Sequence, residues 1–304
     1  MDDQYDAVVV GGGPAGLQAT LTLARVHRRV LMVDSGSYRN DPAGHMHNVV
    51  AHDGTPPAEF RAAARKELAA YDTATVRDDA VTAIAAEGGG FRVELGDEVV
   101  RSRGVVLATG VTDGLPDKPG LAELFGSVVA HCPFCHGHEF AGGTVVVQGG
   151  PHAARVALMM APIAARVVVI DDGHEPSDAE VRALADAGVE WRTGSVVSLD
   201  PTPSGAVVRA DVGPEVAVDG FFVRSSFRQS APFAEALGLE LLASGCVAVD
   251  ALGRTSRPGV YAAGDLAHLR ELPMPLATVL NAAAAGLNAG AACHHDLLAE
   301  QVTG

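Results

Sequence analysis

The sequence predicts an α/β fold with two parallel-sheet domains of the dinucleotide-binding kind. Three observations predict it: a gap-free internal repeat, a glycine fingerprint in the first copy of that repeat, and two strand-and-turn segments that flank the second copy. The chain has 304 residues, 48% hydrophobic and 19% charged, with 35 glycines. That length suits two domains with buried cores, and the composition suits a glycine-turned enzyme rather than a disordered or fibrous chain. A formal net charge of -15 makes nucleic-acid phosphate or an anionic membrane surface a poor main partner.

The repeat comes first. AVVVGGGPAGLQATLTLARVHRRVLMVDSG begins at Ala7, and TVVVQGGPHAARVALMMAPIAARVVVIDDG begins at Thr144, a constant offset of 137 residues. Each reads as an apolar strand, a glycine turn, a helix of small and apolar residues, and a second apolar strand ending in Asp. Such self-similarity implies two βαβ units and two Rossmann-like domains. In the first copy Gly11, Gly13 and Gly16 form G-x-G-x-x-G between a strand and a helix that opens with Pro14 and Ala15. The spacing predicts a tight turn at Gly11, close approach of a pyrophosphate at Gly13, and helix–strand packing at Gly16. The anion would rest on the helix N-terminus. Asp34 closes the second strand where a ribose hydroxyl ligand is expected.

The second copy is degraded. Gln148 and Ala153 replace the first and third glycines, and Gly150 holds the middle position. Asp171 and Asp172 end its second strand where an NADP 2′-phosphate would need arginine, so like charge disfavours NADPH. NADH through Asp171 stays open; a domain kept as scaffold after losing its nucleotide is the favoured reading.

Two segments accompany the first copy. Val105 to Leu107 run into Ala108-Thr109-Gly110, and Thr255 to Asp265 form a turn, a strand and a Gly264-Asp265 terminus. Together with GGGPAG, the ATG and PGVYAAGD motifs resemble the low-molecular-weight thioredoxin reductase family of flavoproteins over essentially the whole chain. The resemblance implies that the first fold binds FAD, with Asp265 at the ribityl–phosphate region and Ala277 and Thr278 among the cofactor ligands. It also implies insertion of the second domain into the first. The expected division is a cofactor domain of 1–114 and 247–304 around an inserted domain of 115–246.

The redox centre is read from His131-Cys132-Pro133-Phe134-Cys135-His136-Gly137-His138-Glu139. Two intervening residues let a short turn or helix start hold both sulfurs at disulfide distance, and a helix N-terminus and nearby imidazoles favour the reactive thiolate. Zinc is the rival reading, but these ligands are nearly contiguous and lack a distant second pair, so no metal is expected. By resemblance Cys135 faces the flavin and Cys132 exchanges with substrate. The family usually carries an acid/base Asp after the second cysteine; here it is His136, which near neutrality can take protons from an incoming thiol. That setting resembles the FAD-dependent dithiol oxidases that close disulfides in holomycin- and gliotoxin-type natural products. His138 is a second candidate for tuning the sulfurs, whereas His131 reads as a surface residue. The run Gly44 to His52 is expected beside the flavin by family analogy, or as a solvated loop. Cys246 and Cys293 read as small buried hydrophobes.

These readings give a peroxide-forming oxidase of a small-molecule dithiol, with molecular oxygen as acceptor. The alternatives are a reductase taking electrons from NADH or another donor, and a non-catalytic flavoprotein acting as a sensor. The acidic start MDDQYDAVVV does not read as a secretory signal, and Leu276 to Cys293, the longest uncharged stretch, reads as an alanine-rich helix against a cofactor rather than a membrane span. A cytoplasmic protein with redox-active cysteines follows; a homodimer is expected from the resemblance alone.

Overall fold

The structure, a computed structural model, describes residues 4–303. The chain divides into two compact units: 1–39, 58–112 and 227–304 form the first, 40–57 and 113–226 the second. The expected borders at 115 and 246 differ from this at the return, and residues 40–57, expected in the first domain, group with the second unit. The helix Phe233–Ala236 and Leu237 and Leu239 bury their side chains in a cluster with Ile84, Val93 and Leu95 of the first unit. Apolar burial, not the position of the next strand, therefore sets where the chain re-enters.

In the first unit the strands Gln4–Val10 and Val30–Asp34 pair in parallel, as the βαβ reading requires. The helix Pro14–Arg25 crosses between them. The strand Glu98–Leu107 lies beside the first strand, pairing in parallel from Gln4 with Arg101 to Val10 with Leu107. On its other side its start pairs with the antiparallel strand Gly90–Leu95 and its end with the parallel strand Val260–Ala262. Near-continuous apolar runs in the central strands fit burial on both faces, and Ala7 to Val10 and Val105 to Leu107 are 4% exposed or less.

The terminal helix Val279–Thr303 packs along Pro14–Arg25, with Ala282, Ala289, Ala292, Cys293 and Leu297 in one cluster with Ala15, Ala19 and Leu23. Small residues make this close approach feasible: a Cβ on Gly286 would stand 2.1 Å from the Ala15 carbonyl oxygen. The alanine-rich stretch expected against a cofactor thus packs mainly on the first helix. No helix among the described residues is long and apolar enough to cross a membrane.

The second unit repeats the pattern. Thr144–Gln148 and Arg166–Ile170 pair in parallel, with the helix Ala153–Met160 between them. They sit at the centre of a five-stranded parallel sheet that also takes Glu190–Arg192, Gly220–Phe222 and Val129–Ala130. A separate antiparallel sheet of Val196–Thr202, Gly205–Ala210 and Val216–Val218 shares the cluster of Leu121, Val146 and Val168.

Overpacking a full core costs about 1–3 kcal/mol. Gly286→Ala should lower stability by about that amount in a denaturant melt, because backbone rather than a flexible side chain blocks the methyl. Gly44→Ala, with open space around its Cβ, should leave the midpoint unchanged.

Candidate active site

The first glycine turn meets three other segments. A Cβ on Gly11 would lie 2.4 Å from the Ala108 carbonyl oxygen, and one on Gly16 would lie 1.8 Å from that of Gly11. Gly264 faces Ala15, where a Cβ would sit 3.1 Å from the Ala15 Cβ. The structure therefore brings Gly11, Ala15, Gly16, Ala108 and Gly264 together, with Thr109 and Gly110 continuing from Ala108. Thr278 precedes the terminal helix, and its Oγ1 accepts the Asn281 N–H at 3.1 Å. Its carbonyl accepts from Ala282, whose Cβ is 3.8 Å from the Cβ position of Gly264. Ala277 is half-buried beside it.

This cradle fits a dinucleotide. Nothing lies within 4 Å of a Cβ built on Gly13. The helix that starts there has no side-chain cap and no acid in its first turn, so its free N–H groups and positive end can take an anion. Asp34, 2% exposed, is more engaged than expected for a ribose ligand. Its Oδ1 accepts from Gly36 N–H at 3.1 Å, and its Oδ2 accepts from the Tyr38 hydroxyl and Arg65. Burial works against its charge, yet hydrogen bonds from Tyr38, Gly36 and Arg65 bring its carboxyl below the ordinary value. A ribose would share that carboxylate with Tyr38 and Arg65. Asp265 is likewise paired, with Arg39 Nη1 at 2.8 Å. Tyr38, Arg39 and Arg65 escaped sequence reading because nothing in their spacing ties them to the motifs. Gly12 was signalled by the GGG run: a Cβ there would collide with Asp34 Oδ2 at 1.9 Å.

The second glycine turn is filled by the chain itself. Gln148 Nε2 donates to Asp172 Oδ2 at 2.7 Å, and Gln148 Oε1 accepts the Arg224 N–H at 3.1 Å. Arg224 Cδ lies 2.8 Å from where a Gly150 Cβ would be, over the position that is open at Gly13. Asp171 Oδ1 accepts from Gly173 and Gly194, and Lys118 Nζ stands 3.6 Å from Asp172 Oδ1. Gln148, Asp171 and Asp172 are thus engaged within the chain, and the exposed Arg224 side chain lies against Gly150.

The cysteine pair sits beside this second βαβ unit. Pro133–His136 is a single helical turn with Cys132 as its N-cap, and Cys135 and His136 both return N–H bonds to the Cys132 carbonyl. One turn is too short to sum a helix dipole, so the expected helix-terminus effect on the sulfurs is weak. The turn holds Cys135 Sγ 2.8 Å from Cys132 Sγ. Phe134 between them is 67% exposed. Met160, fully buried in the helix Ala153–Met160, supports the turn: its Sδ lies 3.1 Å from the Cβ position of Gly137.

His136 is half-buried, and its Nδ1 is enclosed without a hydrogen-bond partner. Burial pushes its imidazole below the ordinary value; Glu139 opposes that shift and His47 adds to it. Burial thus favours the neutral form of the ring. His138 is exposed at the head of the 3₁₀ turn His138–Phe140, and exposed His131 stacks on Phe125 with ring centroids 5.8 Å apart. His47 was read only as part of a loop; it lies 3.5 Å from Glu139 Oε1. Cys246 and Cys293 are 0% exposed, and burial pushes the Cys293 thiol up to about 12. No cluster of three metal-ligating side chains occurs among the described residues.

Residues 5–286 match the family described as pyridine nucleotide-disulphide oxidoreductase. The chain is 34% identical over 315 residues to thioredoxin reductase tcpT of Claviceps purpurea, covering 97% of this chain and 95% of that protein. It is 33% identical over 319 residues to thioredoxin reductase sirT of Leptosphaeria maculans, covering 97% and 94%. Among solved structures, HlmI superposes with a TM-score of 0.90 at 35% identity, covering 100% of this chain and 95% of that one. The oxidoreductase from Agrobacterium tumefaciens superposes with a TM-score of 0.89 at 33% identity, covering 97% and 99%.

With Gln148, Asp172 and Arg224 occupying the second turn, calorimetric titration with NADH or NADPH should give no saturable heat. A saturable isotherm would show that Arg224 swings aside.

Proposed function

The chain belongs to the pyridine nucleotide-disulphide oxidoreductase family, and on that premise we propose that it is an FAD-dependent dithiol oxidase closing a disulfide within a small molecule. The observation that carries this reading is the second glycine turn, occupied by Gln148 and Arg224. A reductase of this kind draws its electrons from a nicotinamide dinucleotide whose pyrophosphate rests on such a turn; an oxidase draws them from its thiol substrate and has no use for one. Sequence similarity to the dithiol oxidases of holomycin- and gliotoxin-type natural products supports the same direction.

The steps follow from the residues. His136 takes the proton of one substrate thiol, and the resulting thiolate attacks Cys132 Sγ of the oxidised pair. The Cys132–Cys135 bond breaks, a substrate–Cys132 bond forms, and Cys135 leaves as thiolate. The second substrate thiol, deprotonated in turn, attacks the substrate sulfur of that mixed disulfide and frees Cys132. The product is a cyclic disulfide, and the two electrons lost by the substrate reside in the reduced cysteine pair. Exposed Phe134 offers an apolar face to a compact ring system beside Cys132. Gly11 to Gly16 with Gly264 and Asp265 would hold FAD, which would supply the two-electron chemistry between the reduced pair and molecular oxygen, with hydrogen peroxide as product.

A second reading, disulfide reduction, is favoured by the names of the curated relatives, which are called thioredoxin reductases. Anaerobic stopped-flow absorbance of the purified protein separates the two. Dithiothreitol should bleach the flavin, NADH and NADPH should not, and admitting air should restore the colour with release of peroxide. Rapid bleaching by a pyridine nucleotide would establish the reductase instead. Cys135→Ser should keep bound flavin and lose oxygen-dependent turnover.

The pH dependence follows from His136. A base whose folded pKa is depressed stays neutral, and so active, down to below about pH 6.5. The thiol-consuming step should be flat from pH 7 to 8 and fall only on the acid side of that value. His136→Ala should slow it by about 10²–10⁴-fold and move its rise upward, towards the thiol range near pH 8.5.

A further inference from the structure

Tyr38 and Arg39 follow one another on the loop after the strand Val30–Asp34, yet they reach different acids of the cofactor cradle. The Tyr38 hydroxyl donates to Asp34 Oδ2, and Arg39 Nη1 donates to Asp265 Oδ2 at 2.8 Å. Gly36, at φ 74, turns the loop and gives its N–H to Asp34 Oδ1 at 3.1 Å. Both acids belong to the first glycine turn. Asp34 Oδ2 lies 1.9 Å from the Cβ position of Gly12, and that of Gly264, the residue before Asp265, lies 3.1 Å from the Ala15 Cβ. The helix Pro57–Leu68 supports the loop. Its Arg61 packs the guanidinium over the Tyr38 ring at 3.7 Å. One turn later Arg65 donates to Asp34 and, at 2.7 Å, to Asp78. Asp34 and Asp78 are register partners on neighbouring parallel strands, so Arg65 separates two like charges.

We propose that Tyr38, Arg39 and Arg65 are positioning residues for a bound flavin dinucleotide, fixing and neutralising the two acids that the glycine motifs present to it. This rests on the FAD part of the proposed function. A dinucleotide brings a pyrophosphate dianion to a cradle that already holds two carboxylates. The helix Pro14–Arg25 has no acid in its first turn, but its positive end amounts to roughly half an elementary charge and cannot offset Asp34 and Asp265 as well. Arg39 and Arg65 do so with one full charge at each acid. A carboxylate offers about four acceptor positions. Asp34 uses three, for Gly36, Tyr38 and Arg65, which leaves one for a ribose hydroxyl. Burial works against its charge, and those same three hydrogen bonds overcome it. Among the described residues, the titratable side chains facing Asp34 are Tyr38 on the loop, Arg65 on the helix and Asp78 on the neighbouring strand.

The test is titration of FAD into the full chain freed of flavin, read by flavin fluorescence, for the wild type, Arg39→Met, Arg39→Lys and Arg65→Met. Variants are compared only where circular dichroism is native, and Arg39→Gln and Arg65→Gln replace a Met variant that does not fold. Each Met variant should bind FAD about 10- to 100-fold more weakly, the scale of one hydrogen bond to a charged group. Arg39→Lys keeps a cation beside Asp265 and should recover most of the loss. In an Asp265→Asn background, Arg39→Met should cost at least about threefold less, because a neutral amide needs no counter-charge. A merely structural arginine would give the same loss in both backgrounds. Without Arg65 the Asp34 carboxyl titrates higher, so affinity should begin to fall at a higher pH in Arg65→Met than in the wild type. Unchanged affinity in both Met variants, or equal losses in both backgrounds, overturns the proposal. A wild type that binds no FAD would remove the flavoprotein reading and this proposal with it. Bound FAD that no dithiol bleaches would end the oxidase reading alone.

Discussion

Backbone must touch backbone around the first glycine turn, and much of the cofactor unit is arranged to permit it. The Gly11 and Gly16 positions, the end of the strand Glu98–Leu107 and the Gly264 turn crowd one helix start so closely that no side chain fits between them. The terminal helix obeys the same constraint through Gly286. Dense small-residue packing on every side leaves one open direction, over Gly13, and a rigid row of N–H groups aimed into it. The acids at the rim are held rather than free, Asp34 by Tyr38 and Arg65, Asp265 by Arg39.

The two βαβ copies show what happens when that constraint is relaxed. Backbone geometry survives in the second, since Gly149 and Gly150 keep the turn and the apolar strands keep the sheet. The recognition surface does not survive: a glutamine in place of the first glycine reaches across to Asp172, and Arg224 covers the rest. The changed turn comes with no loss of fold, because the buried strand faces, and not the turn, carry the packing. The helix of this copy supports the cysteine turn through Met160 instead.

Much of this was legible in the sequence, because glycine spacing and apolar runs report backbone geometry directly. The repeat, both sheets, the degraded second turn, the buried Cys246 and Cys293 and the cysteine turn itself could be read from residue order. What could not be read depends on side chains brought together from afar. His47 and Glu139 stand on either side of the 58–112 segment of the first unit, and no local pattern joins them. Tyr38 and Arg65 reach Asp34 from a loop and a helix with no motif of their own. The return of the chain at 227 rather than 247 was hidden because a four-residue helix carries too little periodicity to declare its face.

Burial of Cys246 and Cys293 bears on how long such a catalyst lasts. Peroxide attacks thiolates, and a thiol that is both enclosed and held protonated presents almost none. Both are removed from water, and the Cys293 thiol is held up at about 12. Under the proposed oxidase reaction, which would release an oxidant at the protein's own surface, the partly exposed cysteine sulfurs are one pair, and each turnover would convert it back to a disulfide. Self-inflicted damage would then fall first on half-exposed methionine, Met274 at 47%, and wear would set in at the periphery while the chemistry at the centre continued.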